Sequence, residues 1–133
     1  AEFIAPLREA GARVSMFISH DPRQIEASAR IGAAVVELHT GLYSELLAEG
    51  HQALADRELA ALRSGAERAA ALGLEVHAGH GLTYENVEPI AAIPELAELN
   101  IGHFLVGEAI FRGFEPAIEE MRRRMDVARG LAP

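Results

Sequence analysis

Histidine, glutamate and glycine residues recur in this sequence at places where an apolar stretch ends. Four of the six histidines lie there, namely His39, His77, His80 and His103. Histidine changes its charge near neutral pH, so it suits proton transfer, and it also binds metals. The types and places of these residues therefore predict a site for acid–base chemistry.

His80 is the strongest candidate for proton transfer. It lies between Gly79 and Gly81, whose missing side chains allow unusual backbone shapes and let a ligand approach closely. A histidine in a loop is often only a loop residue, and on the sequence alone that alternative stays open.

Glu37 is a carboxylate in a stretch of otherwise apolar residues. Such a group must be paired, hydrated in a cavity or protonated. Glu37 shares strand parity with His39, so both side chains can face the same interior. It is either a paired or exposed strand end, or a fixed negative charge that stabilises a cationic transition state.

Gly102 and His103 are similar to a phosphate cradle. If a short helix begins near His103, its first backbone amides lack partners within the helix and can bind an anion. The alternative is a plain turn between a strand and a helix. His77 and His80, with His39 or His103 and Glu37, could also bind a metal, but their spacing is a poor match and we predict none.

The elements that position these residues alternate between strand and helix. We predict strands over residues 13–18, 34–39, 74–78 and 99–101. We predict helices from Asp21 to Gly32, from Asp56 to Gly73, over Val87 and Ile90, and from Pro116 to about Ala128, with Ile118, Met121 and Met125 facing inward. Residues 42–54 are harder to interpret, and we expect a loop with a short helix there. Residues 104–111 are either more strand or a short extra helix.

This alternation predicts an α/β fold with parallel strands joined by helical crossovers. Two architectures fit: a small open doubly wound sheet, or part of a (β/α)8 barrel, whose complete form needs about 250 residues. In both, ligands bind at the carboxyl ends of the strands. We expect residues 1–133 to form part of one domain without an internal boundary.

Composition excludes several classes of partner. The formal net charge of −8 does not favour nucleic acid or an anionic membrane, although a phosphorylated small molecule can still be held locally. The chain has no cysteine, which excludes disulfides and thiolate metal sites and fits a cytoplasmic location. It has no long apolar run and no signal-peptide pattern in residues 1–6, so we expect no membrane segment.

Four stretches together resemble the pyridoxine 5′-phosphate synthase family. They are residues 37–41 (Glu-Leu-His-Thr-Gly), 77–84 (His-Ala-Gly-His-Gly-Leu-Thr-Tyr), 91–96 (Ala-Ala-Ile-Pro-Glu-Leu) and 98–103 (Glu-Leu-Asn-Ile-Gly-His). Their order and spacing also match, and the resemblance runs from about Leu7 to Gly130. One departure is His77, where the family often has asparagine.

The resemblance implies a (β/α)8 TIM barrel that assembles as an octamer in the cytoplasm. It implies condensation of 1-deoxy-D-xylulose 5-phosphate with 3-amino-2-oxopropyl phosphate to pyridoxine 5′-phosphate, without an organic cofactor or metal. By position, His80 corresponds to the proton donor and Glu37 to the transition-state stabiliser. Gly81, Gly102 and His103 correspond to contacts with the aminoketone phosphate.

The family's N-terminal half has no counterpart in this chain. We therefore expect the C-terminal half of a barrel, about four strands, which is inactive alone because the missing half carries further catalytic and binding residues. Three alternatives stay open: a different phosphate-binding barrel enzyme, a non-catalytic half-barrel that binds phosphorylated ligands, and a metal hydrolase. The first is disfavoured in aldolase form, because the chain has no lysine.

Overall fold

A computed structural model describes residues 2–131, in which four parallel strands form one sheet. The strands are β1 (Ser15–Ile18), β2 (Val35–His39), β3 (Glu75–Gly79) and β4 (Leu96–Asn100). They lie side by side in chain order, and each pairing is parallel. Doubly wound sheets reverse their strand order partway across, so this unbroken order favours part of a barrel. The predicted domain limits, Ala1 and Pro133, lie outside the described residues.

Helices flank this sheet and connect its strands. They are α1 (Ala5–Glu9), α2 (Pro22–Ile31), α3 (Gly41–Ala48), α4 (Gln52–Ala71), α5 (Val87–Ala91), α6 (His103–Arg112) and α7 (Phe114–Ala128). Helix α2 begins and ends as predicted, because the Asp21 side chain accepts a hydrogen bond from the Arg23 amide and Gly32 ends the helix with a φ of +81°. No helix within residues 2–131 has the length and apolarity needed to cross a membrane.

The two faces of the sheet carry different residues. On the outer face, Val36, Leu38 and Val76 are buried in the main core, and helix α4 packs on β2 and β3. The inner face is formed by two rows of neighbouring residues, Phe17–Glu37–His77–Glu98 and His39–Gly79–Asn100. Phe17 is 55% exposed there, so the inner face is open within the described part of the chain.

The region that the sequence left unclear consists of α3 and the start of α4. Helix α4 begins at Gln52, four residues before the predicted start at Asp56. The Asp56 carboxylate does not cap the helix but accepts a hydrogen bond of 2.8 Å from the Gln52 side chain, one turn earlier. The predicted start was therefore one turn too late, at a residue that forms an i, i+4 pair inside the helix.

Strand β4 covers Leu96–Asn100 and not the predicted residues 99–101. Its first residue, Leu96, is buried, but Ala97 and Glu98 are exposed. The charged and exposed Glu98 interrupts the apolar run, so a search for apolar runs places the start of this strand too late. The pairing of β3 with β4 also shifts register between Val76 and His77.

The last two helices settle the remaining alternatives. Residues 104–111 belong to helix α6, the extra helix that was one of two predicted possibilities. Helix α7 begins at Phe114, two residues before the predicted Pro116. Its residue Met121 is buried as predicted, but Ile118 is 51% exposed, so the prediction that Ile118 faces inward was wrong.

Candidate active site

A cavity of about 440 Å³ opens at the carboxyl ends of the strands. The five residues that the sequence singled out all line it: Glu37, His80, Gly81, Gly102 and His103. The other lining residues are Phe17, Leu82, Thr83, Asn100, Ile101 and Phe104. The parallel sheet thus brings the ends of β2, β3 and β4 to one site, which a shared ligand requires.

His80 has a left-handed backbone, with a φ of +84°, and is the only non-glycine residue within residues 2–131 with a positive φ. Such a conformation costs roughly 1–3 kcal/mol outside glycine, so its surroundings must hold it in place. The hydroxyl of the fully buried Thr40 lies 2.7 Å from the Gly79 carbonyl oxygen and 2.6 Å from that of His80. Thr40 therefore stabilises the strained turn through its hydroxyl group.

The His39 ring stacks on the His80 ring, with centroids 4.6 Å apart and planes 23° from parallel. The Gly41 amide donates a hydrogen bond of 3.2 Å to His39 Nδ1, which places the His39 proton on Nε2. A Cβ at Gly41 would lie 2.3 Å from His39 Cε1 and 3.0 Å from His80 Cδ2. The missing side chain at Gly41 thus leaves room for the stacked rings of His39 and His80.

The loop after His80 is also fixed by side chains. Asn86 accepts a hydrogen bond of 2.7 Å from the Thr83 amide and donates one of 3.1 Å to the Gly81 carbonyl. Gly81 has a φ of +79°, and a Cβ there would lie 2.8 Å from the Cβ of Ser44. Glycine is therefore required at position 81 by both the turn and the packing.

Glu37 lies on the inner face and is paired with an amide. Asn100 Nδ2 donates a hydrogen bond of 3.0 Å to Glu37 Oε2. Gly79 lies between them, and a Cβ there would be 2.7 Å from Glu37 Oε1. Of the alternatives left open by the sequence, Glu37 is both paired and at the edge of a cavity.

Gly102 precedes α6, which begins at His103 and has no side-chain cap. The first amides of a helix lack partners within the helix and carry part of its positive dipole. A Cβ at Gly102 would meet nothing within 4 Å among the described residues, so packing does not explain the glycine. Open space beside unpartnered amides is the geometry that a bound oxyanion needs.

His77 lies beside Glu37 on the inner face but does not line the cavity. Its Nε2 is 2.8 Å from Glu75 Oε1, and its Nδ1 is 3.6 Å from Glu98 Oε1. Hydrogen bonds from His77 and then from Arg13 hold the pKa of Glu75 below its ordinary value. Among residues 2–131 no three histidine or acidic side chains form a group that could hold a metal ion. His77 and His80 thus do not share a site.

Six lining residues received no role from the sequence, among them Phe17, Thr83 and Asn100. Phe17 could have been assigned to the inner face from strand parity, because it pairs with Glu37 in the register of β1 and β2. Asn100 could be recognised as a polar residue at a strand end. Its contact with Glu37 could not be predicted, because the two residues lie on strands separated by β3.

Comparison with known proteins places the chain in a family. A model of the family described as pyridoxal phosphate biosynthesis protein PdxJ matches residues 1–127. Pyridoxine 5′-phosphate synthase of Cereibacter sphaeroides is 70% identical over 131 residues, which cover 98% of this chain and 52% of that protein. The synthase of Roseobacter denitrificans is 69% identical, covering 97% and 52%. That of Caulobacter vibrioides is 57% identical, covering 97% and 51%.

The chain spans about half the length of the curated relatives it matches. Its four parallel strands are likewise half of the number in a (β/α)8 barrel. Length and strand count therefore agree on half of a TIM barrel. With a family match over nearly the whole chain and relatives up to 70% identical, this chain belongs to the PdxJ family of pyridoxal phosphate biosynthesis proteins.

Proposed function

We propose that this chain is the C-terminal half of a pyridoxine 5′-phosphate synthase that acts in vitamin B6 biosynthesis. The complete enzyme condenses 1-deoxy-D-xylulose 5-phosphate with 3-amino-2-oxopropyl phosphate and releases phosphate and water. The observation that carries the proposal is that Glu37, His80, Gly81, Gly102 and His103 all line the same cavity. In this proposal residues 1–133 belong to one barrel domain.

His80 is the proton donor in this proposal. Histidine is the side chain whose ordinary charge change lies nearest to neutral pH. The strained backbone of His80, the Thr40 hydroxyl below it and the stacked His39 ring all restrict the imidazole. A proton donor that is already oriented needs little rearrangement in the transition state, and this supports the assignment.

Glu37 is the electrostatic stabiliser. Joining an amine to a ketone creates cationic nitrogen, and a fixed carboxylate nearby lowers the free energy of such species. Within residues 2–131 no cationic side chain lies within ion-pair distance of Glu37. Its negative charge is therefore directed at the cavity and not at a neighbouring cation.

Gly81, Gly102 and His103 hold the phosphate of the aminoketone substrate. The amides at the start of α6 supply hydrogen bonds, and the dipole of this helix of 10 residues favours an anion there. Local donors of this kind bind phosphate even in a chain whose net charge is −8. The proposed substrates are small phosphorylated molecules, and by resemblance to the family the reaction needs no organic cofactor or metal.

The opposite wall of the site comes from an upstream half. Strands β1 and β4 are the edges of the sheet, and an open edge in a parallel sheet pairs with another strand when one is available. Closure of the barrel covers the inner face and encloses the cavity. We expect the complete protein to be a cytoplasmic octamer and the isolated 133 residues to be inactive.

The test uses a complete chain, in which the N-terminal half of the Cereibacter sphaeroides synthase precedes this segment. The 70% identity makes the two halves compatible at their seams. Incubation with both substrates should yield pyridoxine 5′-phosphate, identified by mass spectrometry. A folded complete chain that consumes neither substrate contradicts the proposed function.

A phosphate-binding half-barrel without catalysis is the second candidate, favoured by the open space at Gly102. Titration calorimetry of the complete chain with inorganic phosphate and with pyridoxine 5′-phosphate separates the two candidates. Binding without turnover supports this second candidate, whereas turnover removes it.

A further inference from the structure

We propose that Asn100 is a positioning residue that holds the Glu37 carboxylate in its working orientation, an inference that rests on the proposed function. Glu37 is the proposed stabiliser of positive charge, and the direction of its carboxylate decides where that charge acts. Asn100 is the one side chain within residues 2–131 that hydrogen-bonds to it, at 3.0 Å.

The contact joins two strands that are not neighbours. Glu37 lies on β2 and Asn100 on β4, and β3 runs between them. The residue of β3 at the crossing point is Gly79, which pairs with Asn100 in the sheet register. A Cβ at Gly79 would lie 2.7 Å from Glu37 Oε1, 2.6 Å from the Asn100 carbonyl oxygen and 3.1 Å from Asn100 Cβ. The missing side chain at Gly79 therefore opens the passage through which the two side chains meet.

An amide suits this task better than a cationic partner. It donates a directed hydrogen bond to Oε2 without cancelling the charge of the carboxylate. Its single bond leaves Oε1 free to face a substrate. An arginine or lysine in the same place would neutralise the charge on which the proposed role depends.

Both residues line the cavity, and Asn100 is exposed within this half. In water such a hydrogen bond is weak, because solvent competes for both partners. Closure of the barrel by the upstream half covers the inner face, and in a drier site the same bond becomes stronger. The positioning effect is therefore expected in the complete chain.

The test is a double-mutant cycle of Asn100→Ala and Glu37→Gln in the complete chain. Asn100→Ala should lower kcat by roughly tenfold, the loss expected for one hydrogen bond to a charged group, and change KM by less than about twofold. In the Glu37→Gln background the same substitution should have almost no further effect, because its action passes through Glu37. Asn100→Asp keeps the shape but sets two carboxylates side by side, so it should lower kcat further than Asn100→Ala.

Glu98→Gln is the matched control, since it changes a polar residue on the same strand that lies outside the cavity. It should leave kcat unchanged. Melting temperatures of all variants separate a positioning role from a structural one, because a structural role lowers the melting temperature along with kcat.

Two results overturn the proposal. One is a kcat for Asn100→Ala equal to that of the unsubstituted chain. The other is a loss that persists fully in the Glu37→Gln background or appears in KM, which means that Asn100 binds substrate directly. An unsubstituted complete chain without activity removes the proposed function and this inference with it, whereas an active chain that responds to Glu37→Gln but not to Asn100→Ala removes this inference alone.

Discussion

The outer and inner faces of the same sheet are built from alternating residues of the same strands. On β2, Val36 and Leu38 point to the outer face and are at most 1% exposed, whereas Glu37 and His39 point to the inner face and remain partly exposed. The outer face is apolar and covered by helices of this half. The inner face is polar and uncovered within the described residues.

Strand β2 therefore contributes to the core with its outer residues and to the candidate active site with its inner residue Glu37. Burial of the outer residues stabilises the half-barrel. The site can then contain residues that lower the stability of the fold, such as the Glu37 carboxylate and the strained backbone of His80. Substitutions of the inner residues that line the cavity should therefore affect catalysis, and those on the outer face should affect folding.

The largest expected effect is on the inner side. His80→Asn in the complete chain should lower kcat by about a thousandfold, because a proton donor contributes between 10² and 10⁴. KM should change by only a few-fold, since the substitution removes a proton and leaves a hydrogen-bonding side chain of smaller size. Steady-state kinetics measure both, and unchanged kcat excludes His80 as the proton donor.

Adjacent substitutions on β2 test the comparison directly. Leu38→Ala should lower the free energy of unfolding by about 3 kcal/mol, because it leaves a cavity in the main core. Glu37→Gln should lower kcat by about a hundredfold and leave the free energy of unfolding within about 0.5 kcal/mol. Urea unfolding and kinetics of the two variants provide the measurements. The two-face account fails if Glu37→Gln unfolds the protein as readily as Leu38→Ala does.

Thr40 lies where the two faces meet and should show both effects in moderate form. Thr40→Val keeps the shape but leaves the Gly79 and His80 carbonyls without the hydroxyl donor, which should cost about 1–2 kcal/mol of stability. The substitution should also lower kcat by roughly tenfold, because His80 is then held less firmly in its orientation. Ser28→Ala is the control, because Ser28 donates its hydrogen bond within α2, away from the cavity. Equal kinetic losses in both variants would contradict the role of Thr40.

The smallest expected effect concerns acid stability at the far end of the inner face. His77 and Arg13 hold the pKa of Glu75 below its ordinary value of 4.5, so Glu75 stabilises the fold above that pH and loses the contribution as the pH falls through its lowered pKa. Glu75→Gln should therefore reduce the loss of stability on acidification. Urea unfolding at neutral and acidic pH tests this, and an unchanged pH dependence contradicts it.

The sequence predicted the parts of the fold that depend on apolar cover. The strands at Val36 and Val76 and the helix capped by Asp21 were found because their residues lie against this half's own core. The start of strand β4 was predicted too late because Ala97 and Glu98 are exposed and Glu98 interrupts the apolar run. Ile118 was placed inward because periodicity alone does not tell which apolar residues the half covers.

The candidate site was predicted residue by residue but not in its contacts. Glycines beside His80 and before His103 gave visible signals, since glycine lets a ligand approach the backbone closely. The Thr40 bonds, the His39 stack and the Asn100 contact join residues that lie on different strands or directly after them. Such contacts depend on strand order and register, and a single sequence contains neither.

An activity assay with both substrates on three samples, the 133-residue chain, the upstream half and the complete chain, shows whether the active site needs both halves. The account predicts pyridoxine 5′-phosphate from the complete chain and none from either half alone, because each half supplies one wall of the site. Full turnover by the 133-residue chain alone would contradict it.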